Sequence, residues 1–462
     1  MTMQGILRSA VDGRIGYASI NAYGCHDRPV EHIAPLGSCT ASTPTLQGWE
    51  AAEKLWESLR ETSPWAAAQG LRDRLATTWR LPAQSSVVLM PSGTDTALLA
   101  LALAQDALGR PVTSLMTCGG EVGSGTALAA SGRHFSRWPP LGPSLPAGSP
   151  INGLLPAEVQ VVPARDATGE PLSDAAFHEA VDHHRAVARQ KGHALLLHHV
   201  PCSKTGLAAP EPARWPASDG LVLVDAAQGR CSPAQLGEWL RRGWMVSLTG
   251  SKFFEAPPFC GALILPLGLT ATRPLPPGLN AYLTGADLPR RWPTLPGEAA
   301  NPGLLLRWAA GLQGMEAFHA EPEEGISAAL LAVNRLVEQV FTGSIAHLLP
   351  TPHRAGPAPI DRLPSFFNIE LPELHGEAGE ARALWRVLRE RRPGWHIGQP
   401  VSLGHSGRIV LRVAPGASTY RTISNELRQS STSPALDRLE AQLLGLHATL
   451  ESLCKADRPR SA

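Results

Sequence analysis

Short apolar runs that alternate with helical patterns constrain the fold of this chain more than any other feature. Between residues 85 and 265 the runs include SVVLM (86–90), VTSLM (112–116), HALLLHHV (193–200), LVLVDAAQ (221–228) and WMVSLTGSK (244–252). Short apolar strands separated by helices are typical of a parallel sheet that is covered on both faces. We therefore predict an α/β domain built on a mostly parallel sheet.

The pattern changes after residue 305. LLLRWAAGLQGMEAF and ISAALLAVNRLVEQVF predict long helices, and SFFNIELP (365–372) and GRIVLRVA (407–414) predict strands around a helical EARALWRVLRERR. An amphipathic helix with leucines at helical spacing closes the chain. We expect three parts: residues 1–60 packing on the small domain or on a partner, a large domain at 61–305, and a small α+β domain at 306–462.

A Pro- and Gly-rich stretch, residues 137–156, interrupts the large domain. Such composition predicts a surface insertion or a loop over the functional site.

Charge and composition exclude several classes of function. The net charge is +1 and 18% of the residues are charged, so no excess of basic residues indicates a surface for nucleic acid. No uncharged apolar run reaches the ~18 residues of a membrane span, and early charges at Arg8, Asp12 and Arg14 do not fit a signal peptide. We expect a cytoplasmic protein that contacts neither nucleic acid nor membrane.

The cysteines and histidines give no sign of a metal site. The seven cysteines are scattered and never spaced C-x-x-C, which argues against a disulfide framework and a zinc ribbon. His198 and His199 are neighbours on a predicted strand, so their side chains point to opposite faces. We expect one of them to be buried and the other to face solvent.

Polar side chains follow several of the predicted strands. Ligands of open α/β sheets bind beyond the carboxyl ends of the strands, so these side chains are expected to share a site. In chain order they are Ser92, Gly93, Thr94 and Asp95, then Ser203, then Asp225 and Gln228, then Thr249, Ser251 and Lys252. Lys204 also follows a strand, but it lacks the Gly and Pro context of Lys252, and we do not assign it to the site.

Three of these elements suit one cofactor. A Ser-Gly-Thr helix start offers free N–H groups and the positive end of the helix dipole to a phosphate. A carboxylate that ends a buried strand requires a cation or strong donors. A lysine in a water-poor pocket loses its proton readily and becomes a nucleophile. Pyridoxal phosphate needs all three, for its phosphate, its pyridine nitrogen and its aldehyde.

The two most specific motifs resemble a known family. LVLVDAAQGR is similar to the Asp-x-x-Gln strand end, and SLTGSKFFEAPPFCGAL to the lysine segment, of fold-type-I pyridoxal-phosphate enzymes of the class V aminotransferase and cysteine desulfurase group. The resemblance implies a seven-stranded, mostly parallel sheet, a small C-terminal domain, and a homodimer with shared active sites. It also implies that Lys252 forms a Schiff base with the cofactor.

The resemblance assigns roles to the remaining site residues. Asp225 would pair with the pyridine nitrogen, and Gln228 and Ser203 would lie near the phenolic oxygen. Ser92, Gly93, Thr94, Asp95, Thr249 and Ser251 would surround the phosphate. Asn301, in NPGLLLRW, would belong to the segment that reaches the partner subunit's phosphate, and Arg412 would bind the substrate carboxylate.

The sequence departs from the family pattern in three places. No aromatic residue follows the VTSLM strand before Phe135, which leaves Val122 or His134 to pack on the cofactor ring. Ser251 stands where the family has a histidine, and GEAANPG lacks an expected threonine. Simpler interpretations also stay open: plain helix capping for Ser92 to Thr96 and for Asp225, and a strand-edge charge for Arg412.

The reaction type is less determined than the cofactor. We favour an aminotransferase acting on an amino acid or a similar metabolite, with Lys252 as general base and acid. The alternatives are a lyase that breaks a C–S bond or eliminates at the β-carbon, and a non-catalytic relative. No cysteine lies between Cys260 and Cys454, which argues against the persulfide chemistry of the desulfurases.

Overall fold

The computed structural model describes residues 2–13, 15–16, 20–212, 215, 219–290, 292, 300–342, 346–350, 354–391 and 393–456. Within these ranges, no helix combines the length and the apolar composition needed to cross a lipid bilayer.

Strands and helices alternate along most of the described chain. The strands are β1 (Ile33–Leu36), β2 (Ser86–Met90), β3 (Val112–Gly119), β4 (Glu158–Pro163), β5 (Ala194–His199), β6 (Gly220–Ala226), β7 (Met245–Thr249), β8 (Gly261–Leu265), β9 (His347–Leu349), β10 (Phe367–Glu370), β11 (Gly394–Ser402) and β12 (Ile409–Val413). The helices are α1 (Met3–Leu7), α2 (Leu46–Ser58), α3 (Pro64–Thr78), α4 (Gly93–Leu108), α5 (Thr126–Ala130), α6 (Asp174–Gln190), α7 (Pro233–Arg241), α8 (Pro302–His319), α9 (Glu323–Phe341), α10 (Pro359–Arg362), α11 (Ala378–Glu390), α12 (Ala417–Gln429) and α13 (Pro434–Ala456).

The large sheet of the described chain has seven strands in the order β2-β8-β7-β6-β5-β3-β4. The pairs from β7 to β4 are parallel, whereas β8 runs antiparallel to both of its neighbours. The predicted α/β class with a mostly parallel sheet is therefore confirmed. Since β3, β5, β6 and β7 point the same way, their carboxyl ends meet at one edge.

Both faces of this sheet are covered, which explains why its strands are continuously apolar. On β5, Leu195 and Leu197 belong to one hydrophobic core and Leu196 to the other. α4 covers the second face with an almost fully buried run of alanine and leucine, while α6, α7 and α8 contribute to the first core. Alternate residues of a strand point to opposite faces, so a strand between two helix layers must be apolar throughout.

The C-terminal part forms a second sheet in the order β1-β11-β12-β10-β9. Its edge strand β1 comes from the N-terminal segment and pairs in parallel with β11, Ile33 opposite Gly394. The N-terminal segment thereby contacts the C-terminal half of the chain. The boundaries at residues 60 and 305 stay predictions.

Two local expectations are revised, and the prediction for residues 137–156 is narrowed. The helix expected across GTALAASGRHF is only the five residues of α5. His198 and His199 are both buried, 2% and 1% exposed; they do point to opposite faces, but each face of β5 is covered, so the expectation of one solvent-facing histidine was wrong. Residues 137–156 form no helix or strand, and none of them lines the cavity described next.

Candidate active site

A cavity of about 190 Å³ lies at the carboxyl ends of the parallel strands. The structure brings most of the residues predicted for the site to this one cavity. Those that line it are Ser92, Gly93, Thr94, Val122, Ser203, Asp225, Gln228, Thr249, Ser251, Lys252 and Arg412. Asp95 and Asn301 do not line it. The part that each residue plays toward a ligand remains a prediction.

Lys252 and Asp225 lie on neighbouring chain segments because β6 and β7 are paired, with Asp225 opposite Ser247. Burial raises the pKa of Asp225, and the nearby Lys252 and the N–H of Ala227, 3.1 Å from Oδ1, oppose that rise. Burial lowers the pKa of Lys252, opposed chiefly by Asp225. Desolvation outweighs the mutual attraction in both groups, so the lysine amine is easier to deprotonate than in water.

The N-terminus of α4 opens on the same cavity. Ser92 caps the helix: its Oγ accepts from the N–H of Thr94 at 3.2 Å and of Asp95 at 3.4 Å, and donates to the Asp95 carboxylate. Asp95 is fully buried behind this cap instead of facing the cavity. The helix is 16 residues long, so its N-terminal dipole is well developed.

Glycine is required at two positions around this helix start. A Cβ on Gly261, in β8, would lie 2.6 Å from the carbonyl carbon of Ser92. A Cβ on Gly93 would lie 3.1 Å from Cβ of Ala227 and 3.3 Å from Cγ2 of Thr249. The close approach of α4 to the ends of β6 and β7 therefore depends on the absence of side chains, and it brings the N-terminus of the helix to the cavity wall.

Gln228 and Thr249 already make hydrogen bonds within the chain. Gln228 Nε2 donates to the carbonyl of Cys39 at 3.1 Å, and its Oε1 accepts from Arg230 at 3.2 Å. Thr249 Oγ1 donates to the carbonyl of Ala227 at 2.7 Å. These bonds fix the two side chains at the cavity wall, and a ligand contact through the Thr249 hydroxyl proton would require its rotation.

Ser203 belongs to a buried network around Glu121, a residue to which the sequence gave no role. Its Oγ donates to the Glu121 carboxylate at 2.5 Å, and Thr205 Oγ1 donates to the same oxygen. Arg165 forms an ion pair with the other oxygen of Glu121 at 2.5 Å. The ion pair and the two hydroxyl groups therefore compensate the charge of this buried carboxylate, since Glu121 is only 2% exposed.

Arg412 is buried at the cavity wall and is held mainly by backbone oxygens. Its Nε and Nη2 donate to the carbonyl of Gln399, Nη2 also donates to Thr40 Oγ1, and Nη1 donates to the carbonyl of Lys204 at 3.0 Å. A guanidinium has five N–H donors, so within the described chain only one Nη1–H is left for a ligand. In this arrangement the Arg412 guanidinium cannot form a bidentate pair of hydrogen bonds with a carboxylate.

Lys204, Tyr23 and Phe259 line the cavity as well, and sequence reasoning missed all three. The position of Lys204 directly after β5 could have indicated a site residue, but the residue lacks the Gly and Pro context of Lys252 and was not assigned to the site. Phe259 stands within the quoted lysine segment, with φ at +70°, and its ring centroid lies 6.4 Å from that of Tyr23. These rings supply aromatic surface in a cavity where the sequence indicated none; His134, the other candidate, instead bonds to the hydroxyl of Tyr282 at 2.7 Å.

Asn301 caps α8 and stands apart from the cavity. Its Oδ1 accepts from the N–H of Leu304 at 3.0 Å. The capping role accounts for an Asn-Pro-Gly start to this helix. A contribution of this segment to the site of a partner subunit, and the homodimer itself, stay predictions.

Comparison with known proteins identifies the architecture. No protein-family model and no curated protein matches the sequence. Among solved structures, a NifS-like protein superposes with a TM-score of 0.56 at 12% identity, covering 90% of this chain and 100% of its own. The chain has the fold-type-I architecture of pyridoxal-phosphate enzymes. The fold that the LVLVDAAQGR and lysine-segment resemblance implied is thereby confirmed.

Two further fold-type-I structures align over similar lengths. Mouse CSAD superposes with a TM-score of 0.52 at 16% identity, covering 89% of this chain and 83% of its own. A glutamate decarboxylase domain from Vibrio parahaemolyticus gives 0.52 at 13% identity, covering 91% and 81%. At these identities the property shared with this chain is the fold.

Proposed function

We propose that the chain is a pyridoxal-phosphate enzyme that acts on an amino acid or a similar amine-bearing metabolite through Lys252. The observation that carries the proposal is the meeting of Lys252, Asp225 and the N-terminus of α4 at one cavity. These groups come from three separate segments of the chain and complement three separate parts of the cofactor.

The cavity residues fit this cofactor. The glycine-dependent approach of α4 brings the positive end of its dipole to the cavity for a phosphate, which would compete with Ser92 Oγ for the N–H groups of Thr94 and Asp95. The partly exposed Asp225 carboxylate opens on the cavity, where a protonated pyridine nitrogen would stabilise it in place of water. Tyr23, Val122 and Phe259 supply apolar surface. When bound, pyridoxal phosphate would supply an aldehyde for an amine and a ring that accepts electrons from a broken bond at the substrate Cα.

The chain's own groups have defined tasks in such a reaction. Lys252 Nζ, with its pKa lowered by burial, would attack the aldehyde and later take a proton from the substrate Cα and return it. Asp225 would hold a proton on the pyridine nitrogen. The network of Ser203, Glu121 and Arg165 would keep the wall beside Lys204 rigid.

Transamination is our first candidate, since Lys252 can serve as both the base and the acid for the proton that transamination moves. Lyase chemistry is the second candidate, because the solved structures of similar fold include a decarboxylase domain and a cysteine desulfurase. A non-catalytic role is disfavoured by the meeting of Lys252 and Asp225 at one cavity, where desolvation raises the pKa of the acid and lowers that of the amine.

Covalent attachment is the first test. The purified protein is mixed with pyridoxal phosphate, reduced with borohydride, digested and analysed by mass spectrometry. We expect the adduct on Lys252, and none at that site in Lys252→Ala. Lys204→Ala is the matched control, because Lys204 lines the same cavity, and it should leave the adduct unchanged. An adduct confined to exposed lysines would refute the proposal.

Donor screening separates the reaction types. Conversion of the bound cofactor to its amine form by amino acids, seen by absorbance, would support transamination. Release of ammonia, a thiol or carbon dioxide without an amino acceptor would support lyase chemistry. If the Lys252 adduct forms but no amino acid changes its spectrum, the non-catalytic alternative is favoured instead.

A further inference from the structure

A second, larger cavity borders the cofactor cavity. The first holds about 190 Å³, less than the ~300–1,000 Å³ of ordinary small-molecule sites. The second holds about 540 Å³ and lies between the end of β3 and the small sheet. Glu121 and Lys204 line both. A substrate attached to a cofactor that fills the first cavity would therefore extend past these two residues into the second.

The second cavity is cationic. Its described lining carries Lys204, Arg165 and Arg382 and one acid, Glu121. Since Arg165 and Glu121 neutralise each other in an ion pair of 2.5 Å, the positive charges left over are Lys204 at the junction and the exposed Arg382 at the rim. An anionic group is the complement of such a lining.

Lys204 is held by its backbone while its amine stays available. Its N–H donates to the carbonyl of Glu121 at 2.9 Å, and its carbonyl accepts from Arg412 at 3.0 Å. Its Nζ makes no hydrogen bond to any residue in the described ranges. The position of the residue is therefore fixed, and its charge is free for a ligand, in contrast to that of Arg412.

We propose that Lys204 binds a second carboxylate, carried by the side chain of the substrate, and that the substrate is therefore an amino acid with an acidic side chain. The α-amino group lies toward Lys252 and the distal carboxylate lies at the junction of the two cavities, with Arg382 beyond it. This inference rests on the proposed function and names the substrate class of the same site.

The test uses two unreactive acids of equal length, succinate and butyrate, titrated by calorimetry into the cofactor-loaded protein. We expect succinate to bind more tightly than butyrate by about tenfold or more, the effect of one charge-assisted contact. In Lys204→Gln that preference should disappear through weaker succinate binding, with butyrate affected less than about twofold. Lys204→Arg should retain the preference, and Arg382→Gln should reduce it partly.

The matched control is Lys54→Gln, which removes an exposed lysine of α2 that lines neither cavity. It should bind both acids as the unaltered protein does. Equal weakening of succinate and butyrate in Lys204→Gln would place the α-carboxylate on Lys204 and overturn the inference, as would an unchanged preference. The reduced Lys252 adduct is measured in every sample first: its absence would count against the proposed function, whereas its presence without a succinate preference would count against this inference alone.

Discussion

Two lysines share one cavity, and their surroundings give them different chemistry. Burial lowers the pKa of both. At Lys252 the next influence is the attractive Asp225, which fits an amine that must gain and lose a proton. At Lys204 the next influences are the cations Arg412 and Lys252, and together these causes lower its pKa to about 8, with Glu121 opposing. Lys204 therefore changes charge just above neutral pH.

This shift predicts a pH dependence for acid binding. A carboxylate binds the charged form of Lys204, so succinate affinity should be nearly constant below pH 7 and fall as the pH rises through the pKa of about 8. The fall should level off once the charged contact is lost, when the succinate preference of about tenfold or more has disappeared. Calorimetric titrations from about pH 6 to about pH 9 check it, with butyrate as the reference. A succinate-to-butyrate ratio that stays flat to the highest pH would contradict the assignment.

At the scale of elements, glycine has opposite roles in two helices. Gly70 lies exposed in the middle of α3, and an added Cβ would meet nothing within 4 Å. Gly93 begins α4, where a Cβ would press on Ala227 and Thr249. The first glycine only weakens its helix, whereas the second permits the helix start to reach the strand ends.

Replacing each glycine by alanine should separate these roles. Gly70→Ala should raise the free energy of unfolding by about 0.5–1 kcal/mol, because alanine restricts the unfolded chain and favours helix. Gly93→Ala should lower it by about 1 kcal/mol through overpacking. It should also weaken cofactor binding, since it displaces the phosphate-facing turn. Urea unfolding measures the change in stability, and cofactor titration measures the change in cofactor affinity. Gly70→Ala is the control for the affinity measurement. Unaltered cofactor affinity in Gly93→Ala would count against a phosphate at this turn.

At the scale of the whole molecule, the cavity forms where the large sheet, the small sheet and the N-terminal segment meet. Arg230, just beyond β6, donates to Ser38 near β1 and to Ser365 before β10, at 2.8 and 2.9 Å. Its guanidinium also lies between the rings of Phe253 and Phe366, 4.9 and 4.8 Å from their centroids. The site therefore requires the folded chain as a unit.

Buried histidines make this unit sensitive to acid. His198, His199 and His396 are each at most 3% exposed, and burial lowers the pKa of each from 6.5 to about 4. Below pH 6.5 the unfolded chain binds protons that the folded chain does not bind. The contribution of these histidines to the free energy of unfolding is therefore complete above pH 6.5 and decreases as the pH drops toward 4. Each histidine adds up to about 1.4 kcal/mol per pH unit to the slope.

Urea unfolding at a series of pH values measures this slope. His199→Leu should reduce it by about one histidine's share, since neither ring nitrogen has a partner in the described chain. His347→Gln, at an exposed position of β9, is the matched control for the loss of a histidine. A slope equal in all three proteins would show that His199 takes up its proton in the folded state.

The sequence by itself determined the sheet and the motifs that flank it. Strands buried on both faces must be apolar throughout, and a helix start, a carboxylate and a lysine must follow them if they are to meet at one edge. These requirements are local in the sequence, so the positions of Ser92, Asp225 and Lys252 after their strands could be predicted from the sequence alone. The seven-stranded sheet and its covering helices were predictable for the same reason.

Only the tertiary structure decided which charges stay free in the cavity. Arg412 was predicted to bind a substrate carboxylate, but partners far away in the sequence, mainly backbone oxygens, occupy four of its five N–H donors. Lys204 was not assigned to the site, but β12 packs against the loop after β5, and no residue of the described chain pairs with the Lys204 amine where the two cavities adjoin. Hydrogen-bond partners far apart in the chain decide this, and no local pattern encodes them.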